Sequence, residues 1–107
     1  MIELKDIRRC FESDRVLYSA HARREMRNEE FGPIVDQEVY ELVCSGEIIK
    51  QYPDDMPYPS CLIYGTTNAR RPLHTVCAYA QENDQVVIIT VYHPDIALWE
   101  DYTRRKK

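Results

Sequence analysis

Apolar residues in the first part of the chain recur at helical spacing, with charged residues between them. This pattern predicts three helices, over 3–12, over 20–28, and from Asp36 to just before Gly46. Ser19 precedes the second helix, where its hydroxyl can accept a backbone N–H of the first turn. Asp36 is predicted to cap the third helix in the same way. The N-terminal part of the chain is therefore predicted to be helical.

From position 47 onward the pattern changes to alternation, and β-branched and aromatic residues become frequent. Four strands are predicted, over 47–52, 61–66, 73–80 and 86–92. The connections between them are short and rich in turn-forming residues, so they can join antiparallel neighbours but cannot hold a parallel crossover. The predicted fold is α+β, with the N-terminal helices packed on one face of a four-stranded antiparallel sheet.

Length and composition indicate one compact unit. A chain of 107 residues with 44% hydrophobic residues can form one core, so we expect a single domain over 1–107. No apolar run reaches the roughly 18 residues of a membrane span, and the N-terminus carries charges where a signal peptide is apolar. We therefore expect a cytoplasmic protein without a membrane partner, with its cysteines as reduced, buried thiols.

The net charge argues against general binding to nucleic acid. With Lys+Arg 14 against Asp+Glu 18, the formal net charge is −4, which has the wrong sign for such a protein. A polyanion would need a local basic patch. The candidate patches are the cluster Arg23, Arg24 and Arg27, the pair Arg70 and Arg71, and the tail 104–107.

The second predicted helix places a histidine beside groups of both charges. Helical spacing brings His21, Arg24 and Glu25 to one face. With Ser19 as the cap, His21 lies in the first turn, where the helix dipole disfavours protonation and free N–H groups attract phosphate. A neutral imidazole at this position can act as a general base near pH 7. A solvated helix face with an incidental histidine explains the same pattern.

The predicted strands carry further candidate groups. His74 shares one face of the third strand with Val76 and Ala78, and alternation places Thr90 and Tyr92 on one face of the last strand. Hydroxyl groups at a strand end can position a phosphate, although Thr and Tyr are also ordinary strand residues. Aromatic residues that could stack on a base include Tyr52 and Trp99. Neither the histidines nor the cysteines have metal-ligand spacing, so no metal is predicted.

Four short motifs occur in a fixed order: SAHARREM, GEIIKQYP, PLHTV and IITVYHPD. Together they span about Val16 to Trp99 and resemble the small bacterial domains grouped as domain-of-unknown-function family 4258. That family is similar to the superfamily that joins RelE-like toxins, barnase, EndoU-type nucleases and colicin-type ribonucleases. The resemblance implies helices packed against a four-stranded antiparallel sheet, and RNA cleavage without a metal or other cofactor.

The resemblance also implies a set of site residues. Members of the superfamily place a histidine or basic residue on the helix and polar residues on the sheet, and EndoU-like relatives carry Ser/Thr-x-Tyr late in the sheet. The implied catalytic residues are His21, Arg24, His74, Thr90 and Tyr92. The residues expected to contact RNA are Arg23, Tyr52, Arg70, Arg71 and Trp99. The acidic composition departs from the more basic ribonuclease toxins.

Two functions are open at this stage. The first is a metal-independent ribonuclease of toxin–antitoxin type, with RNA and a cognate antitoxin protein as partners. In it, one of His21 and His74 removes the 2′-hydroxyl proton, the other protonates the leaving oxygen, and Arg24 stabilises the phosphate charge. This mechanism requires His21 to share a pocket with polar groups of the sheet. The second is a catalytically inactive, toxin-like module that binds a protein through its sheet or an edge strand.

Overall fold

A computed structural model of the chain describes residues 1–106, which form three helices, a five-stranded sheet and a C-terminal hairpin. The helices are α1 (Leu4–Glu12), α2 (Ala20–Arg27) and α3 (Asp36–Ser45). The strands of the sheet are β1 (Val16–Tyr18), β2 (Glu47–Tyr52), β3 (Ser60–Thr66), β4 (Pro72–Ala80) and β5 (Gln85–Tyr92). The hairpin consists of β6 (Trp99–Glu100) and β7 (Arg104–Arg105). The helices and four longer strands lie where the sequence pattern predicts them.

The helices begin where local hydrogen bonds satisfy their first N–H groups. The Ser19 hydroxyl accepts the Ala22 N–H at 3.0 Å, as predicted for the cap of α2. The prediction that Asp36 caps α3 is wrong, because Val35 occupies the cap position and Asp36 is the first helical residue. There the Val35 N–H donates to the Glu38 carboxylate at 3.1 Å. A carboxylate three residues into the helix thus replaces the expected side-chain cap.

The sheet has five strands in the order β1-β5-β4-β3-β2. Strands β2 to β5 pair antiparallel in chain order, whereas β1 pairs parallel with β5 through partners such as Val16 and Val86. The prediction of a four-stranded antiparallel sheet is therefore wrong, and the sheet is mixed. A parallel pair needs a long connection, and here that connection contains α2, α3 and three strands.

The three helices pack on one face of the sheet. Leu73 and Cys77 of β4 belong to the same buried cluster as Ile7 of α1 and Leu42 of α3. Gly65 of β3 also faces α3, because a Cβ atom added there would lie 2.0 Å from the Leu42 carbonyl oxygen. His74, Val76 and Ala78 alternate with the core residues of β4, and so they face away from the helices. The helix-free side is called the open face below.

A β-bulge alters the end of β5. Val76 pairs with Thr90 and Cys77 pairs with Ile88, so Ile89 is an extra residue between the two pairs. The buried side chains of β5 are Val86, Ile88 and Val91, whereas strict alternation predicts Val87, Ile89 and Val91. The predicted faces of β5 are therefore wrong over part of the strand.

The C-terminal hairpin covers part of the open face. The Trp99 ring meets the His74 ring edge-on at 4.6 Å between centroids, and Tyr102 stacks on Tyr64 at 5.8 Å. Among residues 1–106, no helix combines the length and apolar character needed to cross a membrane.

Candidate functional site

His21 and Glu25 lie on α2 beside the end of β5. The His21 side chain is 61% exposed, and its Nε2 atom is 3.8 Å from Glu25 Oε2. The other Glu25 oxygen accepts the Val91 N–H at 2.8 Å and the Thr90 hydroxyl. The carboxylate is thus held at two points, and a fixed carboxylate can orient a neighbouring imidazole. The side chains of His21, Glu25 and Thr90 are called the α2 cluster.

The short strand β1 explains why α2 reaches this edge of β5. Because β1 ends at Tyr18, the part of β5 beyond Ile88 pairs with β4 on one side and has no strand on the other. Ser19 bonds to this edge twice, since its N–H donates to the Ile88 carbonyl and its hydroxyl donates to the Ile89 carbonyl. Glu25, six residues after Ser19, then accepts the Val91 N–H at the same edge. The sequence of the turn and first half of α2 therefore fixes the position of the α2 cluster.

The two adjacent arginines of α2 have different surroundings. Arg23 stacks on the Tyr18 ring at 3.9 Å and makes two hydrogen bonds to the Asp36 carboxylate. Its charge is thus compensated within the fold. Arg24 is exposed and has no ion-pair partner within residues 1–106. Of the two arginines, Arg24 is therefore the one whose charge is available to a ligand near His21.

His74 lies on the open face and is 0% exposed. Its Nε2 atom is 2.5 Å from the Tyr102 carbonyl oxygen, and its Nδ1 atom is 3.1 Å from the Tyr92 hydroxyl. A carbonyl can only accept, so Nε2 carries the proton and Nδ1 accepts from Tyr92. Burial lowers the pKa of His74, an effect that the Tyr102 carbonyl partly offsets. His74 is therefore a neutral, buried group that links the sheet to the hairpin.

The predicted pairing of the two histidines is not formed. His21 lies on the helix layer at the edge of β5, whereas His74 lies beneath the hairpin on the open face. Thr90 and Tyr92 project from the same face of β5, because they pair with Val76 and His74 of β4. Their hydroxyls have different partners, since Thr90 bonds to Glu25 at the edge of the strand and Tyr92 bonds to His74 beneath the hairpin. The five predicted catalytic residues therefore divide into two groups, one at the edge of β5 beside α2 and one beneath the hairpin.

A cleft of about 460 Å³ lies between the open face and the hairpin. It is lined by Ile49, Lys50, Tyr52, Leu62, Tyr92, Trp99, Thr103 and Arg105. Burial raises the pKa of Tyr92, and the neighbouring Tyr52 and Glu25 contribute to the same direction. The cleft brings together Tyr52 and Trp99, which the sequence proposed as RNA contacts, with Tyr92, which it proposed as catalytic.

Two polar residues of this cleft, Lys50 and Thr103, were not predicted from the sequence, and Arg105 was named only as part of the basic tail 104–107. Lys50 could have been found, because it is two positions before Tyr52 on a predicted strand and such residues share a face. The positions of Thr103 and Arg105 could not be predicted, because they depend on how the hairpin folds back onto the sheet. In the sequence, the basic tail was distinguished only by its charge.

The remaining predicted contacts lie elsewhere. Arg71 donates to the Pro33 carbonyl at 3.1 Å, forms an ion pair with Glu38 at 3.2 Å and also bonds to Gly32. It therefore ties the loop between α2 and α3 to the sheet. Arg70 is an exposed residue of the turn before β4. Neither arginine lines the cleft, so the predicted RNA contacts do not form one continuous surface.

Within the part of the chain that the structure describes, no group of three or more His, Cys, Asp or Glu residues is placed to hold a metal ion.

The fold and its two sites define an α+β domain with a helix-borne ionisable cluster on one side of a mixed sheet and a cationic, aromatic cleft on the other. A family model described as Domain of unknown function (DUF4258) matches residues 18–93, and the chain belongs to this family. The matched range contains the α2 cluster and His74 but ends before the hairpin. No curated protein and no solved structure matches the chain.

Proposed function

We propose that the chain is a metal-independent ribonuclease of toxin–antitoxin type, with His21 as its general base. One observation carries this proposal: an exposed imidazole faces a carboxylate that the Thr90 hydroxyl and the Val91 N–H hold in place. Catalytic bases are commonly oriented by a third group in this way. The resemblance to RelE-like and barnase-type ribonucleases supports the same choice of reaction.

The reaction needs only proton transfer and charge stabilisation, because the nucleophile belongs to the substrate. His21 removes the proton from a ribose 2′-hydroxyl, whose oxygen attacks the adjacent phosphorus. The bond from phosphorus to the 5′-oxygen breaks, which leaves a 2′,3′-cyclic phosphate. The leaving 5′-oxygen takes its proton from solvent, and His21 later returns its own proton to solvent. His74 has no part in this step, because it is buried on the other side of the sheet.

Each residue near His21 has a separate role in this proposal. Arg24 contacts the phosphate and stabilises the charge that grows on its oxygens. Glu25 orients the imidazole and stabilises its protonated form. Thr90 acts through Glu25 and is a positioning residue. Tyr92 lies outside this group and belongs to the cleft.

The first prediction concerns His21→Ala. Purified protein is incubated with mixed cellular RNA in the presence of a chelator, and the rate of cleavage is measured. General-base catalysis is typically worth about 10²-fold to 10⁴-fold, so we expect the variant to lose at least about 100-fold in rate. Glu25→Gln should also lower the rate of cleavage, because it removes the carboxylate that faces the imidazole.

The matched control is His93→Ala. His93 lies against Phe31, with 4.5 Å between the ring centroids, and takes no part in the α2 cluster, so its removal should leave cleavage unchanged. Equal rates for wild type and His21→Ala would remove His21 from the mechanism. The absence of any cleavage by the wild-type protein in chelator would reject the ribonuclease.

The second candidate function is a catalytically inactive, toxin-like module that binds a protein partner such as an antitoxin. The observation that favours it is that β1 and β2 are the two edges of the sheet, and each has a free side within residues 1–106. Overexpression separates the two functions. Growth arrest that His21→Ala relieves supports the ribonuclease, whereas growth without arrest, together with no RNA cleavage, supports the module.

A further inference from the structure

The cleft on the open face has an electrostatic character opposite to that of the whole chain. The chain has Asp+Glu 18 and a formal net charge of −4, yet none of the residues that line the cleft is acidic. Lys50 and Arg105 line it, and within residues 1–106 neither has an ion-pair partner. Two unpaired cations in a partly enclosed space favour an anionic ligand.

A second, larger cleft on the molecule has both acidic and basic residues in its lining. It measures about 1000 Å³, and its lining combines Arg9 with the carboxylates Asp6 and Glu82. Arg9 is already bonded to Asp6 at 2.7 Å, so its charge is compensated. Of these two clefts, the one beneath the hairpin is therefore the one whose cations are free of carboxylate neighbours in the lining.

The cations of the cleft lie next to aromatic rings. The Lys50 ammonium is 5.4 Å from the centre of the Tyr52 ring, on the sheet. The Arg105 guanidinium is 5.7 Å from the centre of the Trp99 ring, on the hairpin. A planar base can stack on an aromatic ring, and a cation beside that ring can meet the attached phosphate. The cleft thus offers both contacts from two separate elements.

We propose that this cleft binds one nucleotide, with its base against Trp99 or Tyr52 and its phosphate between Lys50 and Arg105. The volume of about 460 Å³ falls within the range of ligand sites. The inference rests on the proposed function for the identity of the ligand as part of an RNA strand, but not for binding itself.

The cleft and the α2 cluster meet at the end of β5. Tyr92 lines the cleft and Thr90 bonds to Glu25, and two residues along a strand span about 7 Å. A single RNA strand that crosses the end of β5 therefore has its base in the cleft and a nearby phosphodiester at His21. The cleft in this arrangement would select the nucleotide next to the cleaved bond.

Trp99 makes the test direct, because it is the only tryptophan of the chain. Adenosine 5′-monophosphate is titrated into the full-length protein while tryptophan fluorescence is recorded. We expect saturable quenching by a stacked base. A charge-assisted phosphate contact contributes enough that Lys50→Gln and Arg105→Gln should each weaken binding about tenfold.

Arg104→Gln is the matched control. Arg104 is adjacent to Arg105 in sequence but bonds to Glu100 at 2.9 Å and does not line the cleft, so its replacement should leave the affinity unchanged. Quenching that does not saturate, or equal weakening by Arg104→Gln and Arg105→Gln, would overturn the proposed site.

His21→Ala separates this inference from the ribonuclease proposal. If both are right, the variant loses RNA cleavage but binds the nucleotide with wild-type affinity. Saturable, Arg105-dependent quenching without any RNA cleavage supports the cleft and rejects the ribonuclease. Cleavage that depends on His21 without nucleotide-induced quenching rejects the cleft and leaves the ribonuclease standing.

Discussion

The four cysteines occupy different environments, although none forms a disulfide. Cys10, Cys61 and Cys77 are buried, whereas Cys44 is exposed on the last turn of α3. Burial raises the pKa of Cys10 to about 11, with a smaller contribution from Asp84. The Cys61 thiol, 3.9 Å away, raises the pKa of Cys77, and burial adds to this effect. The thiolate is the reactive form, so the buried thiols should be inert.

A thiol-specific reagent is therefore expected to label one cysteine of the native protein. The labelled residue should be Cys44, and Cys44→Ser should reduce native labelling to near zero. In denaturant all four thiols become accessible, which provides the total for comparison. Labelling is counted by mass spectrometry. Rapid native labelling of Cys61 or Cys77 would contradict the burial of this part of the sheet.

At the same scale, the two histidines show what a sequence can reveal about a site. His21 and Glu25 are close in sequence, so helical spacing predicted their proximity correctly, and Ser19 was predicted correctly as the cap of α2. The environment of His74 depends on Trp99 and Tyr102, which lie far along the chain. Alternation gave the correct face of β4 for His74 but could not predict that a hairpin covers this face.

Among the elements, α3 approaches β3 so closely that position 65 has room only for a glycine. A Cβ atom at Gly65 would lie 2.0 Å from the Leu42 carbonyl oxygen and 2.8 Å from its carbon. Both are backbone atoms, so they cannot move aside as a flexible side chain can. The helix or the strand would have to shift.

Gly65→Ala is therefore expected to lower the free energy of unfolding by about 1–3 kcal/mol, the usual cost of overpacking. Urea denaturation followed by circular dichroism measures the effect. Thr66→Ala is the control in the next position. Its backbone N–H and carbonyl keep their bonds to Ser45 at 3.0 and 2.8 Å, so its cost should stay below about 1 kcal/mol. Similar losses for both variants would contradict the steric argument.

Three features of the fold could not be predicted from the sequence, and the physical reason is the same for each. Strand β1 has three residues, too few for alternation to be visible. Its partner β5 is about 70 positions later in the sequence. The bulge inserts Ile89 as an extra residue of β5, and the sequence around Ile89 gives no sign of this insertion. The strands of the hairpin have two residues each and are positioned by contacts with His74 and Tyr64. Non-local contacts specify all three.

For the whole molecule, the buried imidazole of His74 couples stability to pH. Burial lowers its folded-state pKa below the unfolded value of about 6.5. Between these two values the unfolded chain binds a proton that the folded chain does not bind. The stabilisation by neutral His74 is thus complete above pH 6.5 and declines as the pH falls toward the folded-state pKa.

We therefore expect the urea midpoint to be lower at about pH 5 than at about pH 7.5. His74→Gln removes the titrating group but keeps a donor toward the Tyr102 carbonyl, so its midpoint should depend less on pH over this interval. Asp84 does not interfere, because its Arg9 partner lowers its pKa and its contribution is lost only at more acidic pH. Equal pH dependence in wild type and variant would show that the pKa of His74 does not differ between the folded and unfolded states, which would contradict its burial.

The parallel pairing of β1 with β5 has a consequence for synthesis of the chain. A ribosome releases the N-terminal residues first, so β1 emerges long before the strand that pairs with it. Until residues 85–92 have been translated and have left the exit tunnel, Val16 and its neighbours have no backbone partner in the sheet. The nascent polypeptide therefore carries an unpaired strand while the residues between β1 and the end of β5 are made, and such a segment is of the kind that molecular chaperones protect.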